Sequence, residues 1–161
     1  MTDFVVGLIA ISFVMLLYTL LWNNIATRWE VSNKAAALEE SALFASESLL
    51  GTTGEPKGFE LLPQINSSVR AIGLVNSRNE LSRLKIEKLI LENASSYSTV
   101  KSRIGLSKYE FGFYITDLQR NQRYYEYGQF STGSLNNSVN FDRFAILDNE
   151  PVIFHMEVWG K

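Results

Sequence analysis

Cysteine is absent from this chain of 161 residues, and histidine occurs once, at position 155. The absence of cysteine excludes disulfide bonds and thiolate metal sites. A catalytic triad needs a base, and a zinc site usually needs two or more His or Cys ligands, so a single histidine gives little support to either. We expect His155 to be a strand residue that faces solvent or fills a packed edge, and we expect neither a metal nor a cofactor.

An excess of positive charge is also lacking. The chain has 15 Lys and Arg against 17 Asp and Glu, which gives a formal net charge of −2. Proteins that bind nucleic acid usually carry a clustered basic face, so the composition predicts no nucleic-acid partner. Hydrophobic residues make up 46% of the chain and charged residues 20%, which is ordinary for a folded protein and argues against disorder.

No group of residues in the sequence matches a catalytic motif. Asp142 and Asp148 flank a predicted strand and its turn, where carboxylates commonly solvate an edge or stabilise a turn. Gly51 and Gly54 precede Pro56 rather than a Lys-Ser or Lys-Thr pair, so they do not form a phosphate-binding loop. We therefore predict that the protein is not an enzyme.

The most informative feature is a run without charged side chains from Phe4 to Trp22. A helix needs about 20 apolar residues to cross a bilayer, because each residue rises ~1.5 Å and the hydrocarbon is ~30 Å thick. Helix-compatible sequence continues without Gly or Pro to Leu50, and Gly51 and Pro56 predict the end of the helix. We therefore divide the chain into an N-terminal helix and stalk, residues 1–50, and a head domain, residues 51–161.

Only Met-Thr-Asp precedes the apolar run. A secretory signal carries a basic n-region, a shorter apolar region and a small-x-small cleavage site, and none of these is present, so we expect a retained helix. Either a short basic leader has been removed or Met1 is the translated start, and the sequence leaves both open.

The candidate functional residues of the apolar run are those expected in a membrane or in the core of a helical bundle: Phe4, Val5, Gly7, Leu8, Ile11, Phe13, Val14, Leu17 and Leu21. Gly7, Ala10 and Ser12 are small enough to let helices approach closely. Asp3 either stabilises the positive end of its own helix or meets the free amino terminus of a neighbouring helix, where it would set the subunit register.

The head is predicted to contain one or two short helices and an antiparallel four-stranded sheet, so the fold class is α+β. Residues 80–92 predict a helix that buries Leu81, Leu84, Leu89 and Leu91, and residues 97–104 predict another turn or two. Alternating or tyrosine-rich stretches predict strands at residues 108–118, 123–130, 141–147 and 152–159, arranged as a meander. Residues 59–79 are predicted to be irregular, and residues 148–151 to form a tight connection.

Two further features point to the surface of the head. The sequons at Asn66, Asn93 and Asn136 are candidate N-glycosylation sites, the last two in predicted turns or loops. Tyrosines cluster on two of the predicted strands, at positions 109, 114, 124, 125 and 127. They either pair across the strands inside the sheet or form a surface patch for a glycan or a neighbouring protein.

Several short motifs, taken in order, resemble those of archaeal type IV pilins of the class III signal peptide family. The matching segments are Gly54-Glu55-Pro56-Lys57-Gly58-Phe59-Glu60, Ile72-Gly73-Leu74, Leu81-Ser82 with Lys85 and Leu89, Tyr97-Ser98-Thr99-Val100-Lys101, Leu106, and Phe111-Gly112-Phe113-Tyr114-Ile115. Two features depart from the family: no leader is visible, and Val5 stands where the family usually has Glu. Asp3 is the nearest acidic residue.

The resemblance implies a structural subunit of an extracellular pilus-like filament, with identical subunits as partners and adhesion to a surface or glycan as a role. The precursor would be inserted in the cytoplasmic membrane before assembly. The alternative is a monomeric, membrane-anchored cell-surface protein whose head binds a glycan or an envelope partner. Polymer formation distinguishes the two hypotheses, as does the solvent exposure of Ile25 and Trp29.

Overall fold

The computed structural model describes residues 2–77, 79–118, 122–131 and 137–160, without the side chains of residues 2, 3 and 10. The candidate glycosylation site Asn136 and the side chains of Asp3 and Ala10 therefore lie outside the described part. The predicted long N-terminal helix is confirmed, because α1 runs from Thr2 to Gly51. Its many alanines and leucines favour helix, and no proline interrupts it.

Backbone packing divides the chain into two units, Met1–Ala37 and Leu38–Lys161. Helix α1 contributes to both. In the first unit its described side chains are exposed, whereas in the second unit one face of the helix is buried, formed by Leu38, Ala42, Ala45 and Leu49. The spacing of three and four residues places these side chains on one stripe. Our division after residue 50 follows the end of the helix, whereas burial begins at Leu38.

The second unit continues with short elements and then with four longer strands. A single 3₁₀ turn, Phe59–Leu61, is followed by β1 (Val75–Ser77), β2 (Glu80–Leu81), α2 (Arg83–Leu91), α3 (Asn93–Arg103), β3 (Glu110–Asp117), β4 (Arg123–Gly128), β5 (Ser138–Leu147) and β6 (Glu150–Trp159). The α+β class is therefore confirmed.

The sheet differs from the predicted antiparallel four-stranded meander. Within the described residues it has six strands in the order β1-β2-β5-β6-β3-β4, and β2 runs parallel to β5. We missed β1 and β2 because strands of two or three residues are too short to show a period. The meander was wrong because β3 pairs along its whole length with β6 rather than leading through β4 to β5. Nearly every residue of β3 is buried, so it requires a partner on each edge.

The helix predicted for residues 80–92 also needs correction. Glu80 and Leu81 form β2, and α2 begins at Arg83. Leu84 and Leu91, predicted to be buried, are 62% and 84% exposed, whereas Lys85, Ile86 and Leu89 form the buried face. The helical period cannot be counted from Leu81, because that residue belongs to a strand.

The connection between β5 and β6 is as tight as predicted. Leu147 pairs with Glu150, so only Asp148 and Asn149 form the turn. Both have positive φ angles, 53° and 66°, which is the backbone of a type I′ hairpin turn and one that Asn and Asp tolerate. Asp148 also forms an ion pair with Arg83, so the predicted turn role is supplemented by a contact with α2.

Candidate functional site

Most of the exposed large hydrophobic side chains in the described part of the chain lie on α1. All the predicted core residues of the apolar run lie on this helix, and their large side chains are exposed, from 44% at Leu17 to 75% at Phe4. In the described part of the chain, this is the one helix that is long and apolar enough to cross a membrane, with a mean hydropathy of 2.6 over its most apolar window. A surface that is apolar on all sides requires cover from lipid or from other helices.

Hydroxyl groups within this surface are bonded to the helix itself. Ser12 Oγ and Thr19 Oγ1 each donate a hydrogen bond of 2.8 Å to the carbonyl four residues earlier, at Leu8 and Met15. Thr27 Oγ1 does the same with Asn23, at 2.5 Å. Such bonds remove the need for water, which an apolar environment does not supply. These three hydroxyl groups therefore do not interrupt the apolar character of the helix.

Gly7 leaves a gap in this surface. A Cβ atom added there would meet nothing within 4 Å. A glycine in an apolar helix lets a second helix come close to its backbone. Charged residues first reappear at Arg28, and Glu30 then forms an exposed ion pair of 2.7 Å with Lys34, one helical turn later. The hydrogen bond from Lys34 lowers the pKa of the Glu30 carboxyl group.

The segments that carry the pilin resemblance converge at the end of α1. The backbone N–H of Leu74 donates to Leu49 O at 2.7 Å, and a Cβ atom on Gly73 would lie 1.8 Å from Thr52 O. Gly54 has a φ of 81°, and a Cβ atom there would lie 2.7 Å from the ring of Phe59, which is fully buried. Gly54 and Gly73 are therefore required by close packing.

A buried lysine joins the same segments. Lys85 is 3% exposed, and its Nζ donates to Thr53 O at 2.9 Å and to Val75 O at 2.7 Å. Burial lowers the pKa of this amino group, and the nearby charge of Glu60 opposes the shift. The lysine thus holds the chain after α1 against β1. Its role is explained by these bonds, without a ligand.

The contacts that His155 makes could not be predicted from the sequence. Its Nδ1 lies 2.7 Å from Asp142 Oδ1 and its Nε2 lies 2.9 Å from Thr116 Oγ1, on neighbouring strands. This order of hydroxyl, imidazole and carboxylate resembles a catalytic triad. However, Thr116 is only 3% exposed, so its hydroxyl is not presented to a substrate. Strand register brings the three side chains together, and no motif in the sequence marks that register.

A cleft of about 580 Å³ opens beside His155, on the face of the sheet opposite Phe113 and Phe154. We call it the outer cleft. Its lining comes from β3, β4, β5, β6 and the segment after β4, and comprises Tyr114, Arg123, Phe130, Ser131, Asn140, Asp142, His155, Met156 and Glu157. Asp142, which we predicted to solvate the edge of a strand, is therefore one of the residues that line the outer cleft.

The predicted tyrosine cluster divides between the faces of the sheet. Tyr127 is fully buried and contacts Phe113 and Phe111, with ring centroids 5.3 and 5.8 Å apart, whereas Tyr124 is 46% exposed. Alternate residues of a strand point to opposite faces, which explains the division. Cross-strand packing therefore accounts for Tyr127, and Tyr114 belongs to the outer cleft.

The described sequons have different settings. Asn66 is exposed, and its Oδ1 accepts hydrogen bonds from the N–H and hydroxyl of Ser68, at 2.9 and 2.7 Å. Asn93, expected in a turn or loop, is instead the first residue of α3 and is half-buried. It follows α2 after a single residue, so the turn signal in this region marks a break between two helices.

Comparison of the chain with protein-family models, with curated proteins and with solved structures finds no match. The function is therefore argued from the surfaces described above.

Proposed function

We propose that this protein is a structural subunit of an extracellular type IV pilus-like filament, polymerised through the apolar surface of α1. The precursor would be held in the cytoplasmic membrane by the same helix. Assembly would transfer the helix from lipid to a bundle of identical helices, and packing contacts would replace contacts with acyl chains. The role is that of a structural protein rather than an enzyme.

The observation that carries the proposal is apolar surface beyond the length of a membrane span. Ile25, Trp29 and Val31 follow the uncharged run that ends at Trp22, and they are 60%, 72% and 60% exposed. A bilayer covers about 20 residues of a helix, with a range of about 17 to 25. It can therefore reach Ile25, but it cannot cover the first turn of the run together with Trp29 and Val31. Neighbouring helices of a filament would cover both.

The alternative remains a monomeric, membrane-anchored surface protein whose head binds a glycan or an envelope partner. The outer cleft is the observation in its favour, because a ligand could bind there without any polymer. The two proposals differ in what covers Ile25 and Trp29. In a filament these side chains are protected from water, whereas in an anchored monomer they stay accessible.

Gly7→Leu tests helix packing. We expect the leucine to separate neighbouring helices and to reduce the yield of sheared filaments severalfold, while insertion into the membrane is unchanged because leucine is at least as apolar as glycine. Gly51→Leu is the matched control, since a Cβ atom at Gly51 also meets nothing within 4 Å but lies outside the apolar run. The filament yields of the two variants are compared by electron microscopy and immunoblotting. An equal yield from both variants would contradict packing at Gly7.

Asp3→Ala tests the register role of the acidic residue. We expect it to reduce filament assembly more than membrane insertion or folding of the head, because the carboxylate would lose its partner on a neighbouring helix. Thr2→Ala is the neighbouring control without a change of charge. Membrane fractionation and filament yield are measured on the same cells. Normal filament yield from Asp3→Ala would remove Asp3 from the mechanism.

A further inference from the structure

One wall of the outer cleft is formed by the ring of Phe130, which lies against a glycine of β3. Gly112 of β3 has no side chain on this face, and a Cβ atom there would lie 2.8 Å from the ring of Phe130. Phe130 therefore folds over the sheet, with its ring centroid 5.9 Å from that of Tyr114. This places an apolar ring at the side of a cleft whose other walls are polar.

Next to Phe130 lies a fixed stack of side chains. The guanidinium of Arg123 lies 4.0 Å from the centroid of the Tyr114 ring, and that ring stacks on His155 with centroids 4.5 Å apart. Hydrogen bonds to Asp142 and Thr116 hold both nitrogens of His155. Groups that are already ordered lose less entropy when a ligand binds, so this stack is preorganised.

Polar side chains with spare bonding capacity face the same space. Among the residues that the structure describes, no hydrogen-bond or ion-pair partner contacts the side chains of Asn140 and Glu157, which occupy paired positions on β5 and β6. Asp142 is bonded to His155 and still has 67% of its side chain exposed. The cleft therefore offers two carboxylates and an amide, which together accept and donate hydrogen bonds.

The charged side chains that line the outer cleft indicate which class of ligand it can bind. Arg123 stands against Asp142 and Glu157, so the cleft lacks the strong positive field that an anion needs. Asp142, His155 and Glu157 all line the cleft, but among the described residues no group of three or more acidic or histidine side chains is placed to hold a metal ion. A neutral polyhydroxylated ligand fits both requirements, since its hydroxyls bond to carboxylate and amide while its C–H face packs on Phe130. The volume of about 580 Å³ lies within the usual range for small-molecule sites.

We propose that the outer cleft is a binding site for a neutral sugar, in the form of a short oligosaccharide. The lining residues all belong to the unit Leu38–Lys161, so the inference does not depend on polymerisation. The sugar could come from a foreign surface glycan or from an N-glycan of another copy of this chain. Both sources share the same chemistry in the cleft.

The test uses the full chain, solubilised in an amine-oxide detergent that has no sugar headgroup. Binding of methyl glycosides and disaccharides of glucose, galactose, mannose and N-acetylglucosamine is measured by NMR titration. We expect saturable binding of at least one sugar, and we expect Glu157→Gln and Asn140→Ala each to raise its dissociation constant about tenfold through the loss of hydrogen bonds. Glu150→Gln is the matched control on the same strand outside the cleft, and thermal unfolding verifies that each variant is folded.

Three results would overturn the proposal. The first is the absence of binding by every sugar tested. The second is sugar binding that Glu157→Gln and Asn140→Ala leave unchanged in folded protein, which would place the site elsewhere. The third is binding of inorganic phosphate in preference to sugar, lost in Arg123→Gln, which would make the cleft an anion site.

A further arm distinguishes the two sources of sugar. The chain is produced in its glycosylating host, with and without the substitutions Asn66→Gln, Asn93→Gln and Asn136→Gln. If glycans of the chain itself occupy the cleft, removal of the sequons will strengthen binding of the added sugar. If the natural ligand is foreign, the affinity will be the same in both preparations.

Discussion

At the scale of single residues, buried hydroxyl groups govern the response of the head to alkaline pH. Tyr97 accepts a hydrogen bond from Phe111 N–H at 3.0 Å and lies 2.9 Å from Glu110 Oε2, and Tyr127 is fully buried beside it. Burial raises the pKa of both phenols above the usual value of 10.0. The folded protein therefore keeps protons that the unfolded chain loses.

The sign of the resulting pH effect follows directly. A raised pKa in the folded state stabilises the fold at pH values below 10.0, and this stabilisation is lost as the pH rises from 10.0 towards the folded-state pKa. Above pH 10.0, we expect the titration of Tyr127 to lower the free energy of unfolding by about 1.4 kcal/mol per pH unit. Tyr127→Phe should abolish this part of the decline.

The measurement is denaturant unfolding of both proteins across the alkaline range. The difference between the two curves removes the contribution of Lys85, whose lowered pKa has the opposite sign and makes stability rise with pH. Parallel curves for the wild type and Tyr127→Phe would show that the phenol is not held protonated by burial.

At the scale of elements, the end of α1 and the chain before β1 approach without space for a side chain at Gly73. A Cβ atom on Gly73 would lie 1.8 Å from Thr52 O. We expect Gly73→Ala to destabilise the head by about 3 kcal/mol or more, because the backbone itself must move. Gly51→Ala has open space at its Cβ and should change stability by less than about 1 kcal/mol.

Denaturant unfolding of the two alanine variants compares the same substitution at a closed and an open position. Equal stabilities would contradict the close approach of these elements. A loss confined to Gly73→Ala would support the view that the motif Ile72-Gly73-Leu74 is a packing motif at the end of α1.

Sequence reasoning succeeded for elements that extend over many residues. The apolar run and its extension to Leu50 could be predicted, because a helix of that length needs only composition and an uninterrupted period, and the observed helix ends one residue later, at Gly51. The pairing order of the strands was not visible, since β3 could pair with β5 or β6 by alternation alone. The two-residue strand β2 was hidden because it immediately precedes a helix with compatible sequence.

The candidate site shows the same limit. Phe4, Gly7 and the other residues of the apolar run could be named as candidates from their types, because that prediction needs only apolar and small side chains, and their role stays a prediction. The outer cleft could not, since Asp142, His155 and Tyr114 meet only through the register of three strands. The single histidine was noticed, but its partners depend on distant pairings.

At the scale of the whole molecule, the chain combines an apolar helix that extends past the length of a bilayer span with a folded head. In our proposals, the helix would supply the surface for polymerisation and the head would supply a cleft for a ligand. The helix surface and the cleft belong to separate units of the chain, so loss of sugar binding should leave polymerisation intact.

The measurement that tests the central claim most directly is electron microscopy of material sheared from cells that express this chain, combined with mass spectrometry of its N-terminus. We predict thin filaments built from this subunit, and the mass of the N-terminal peptide will show whether a leader has been cut. Detergent-soluble single particles without any polymer would contradict the filament proposal and favour the membrane-anchored surface protein.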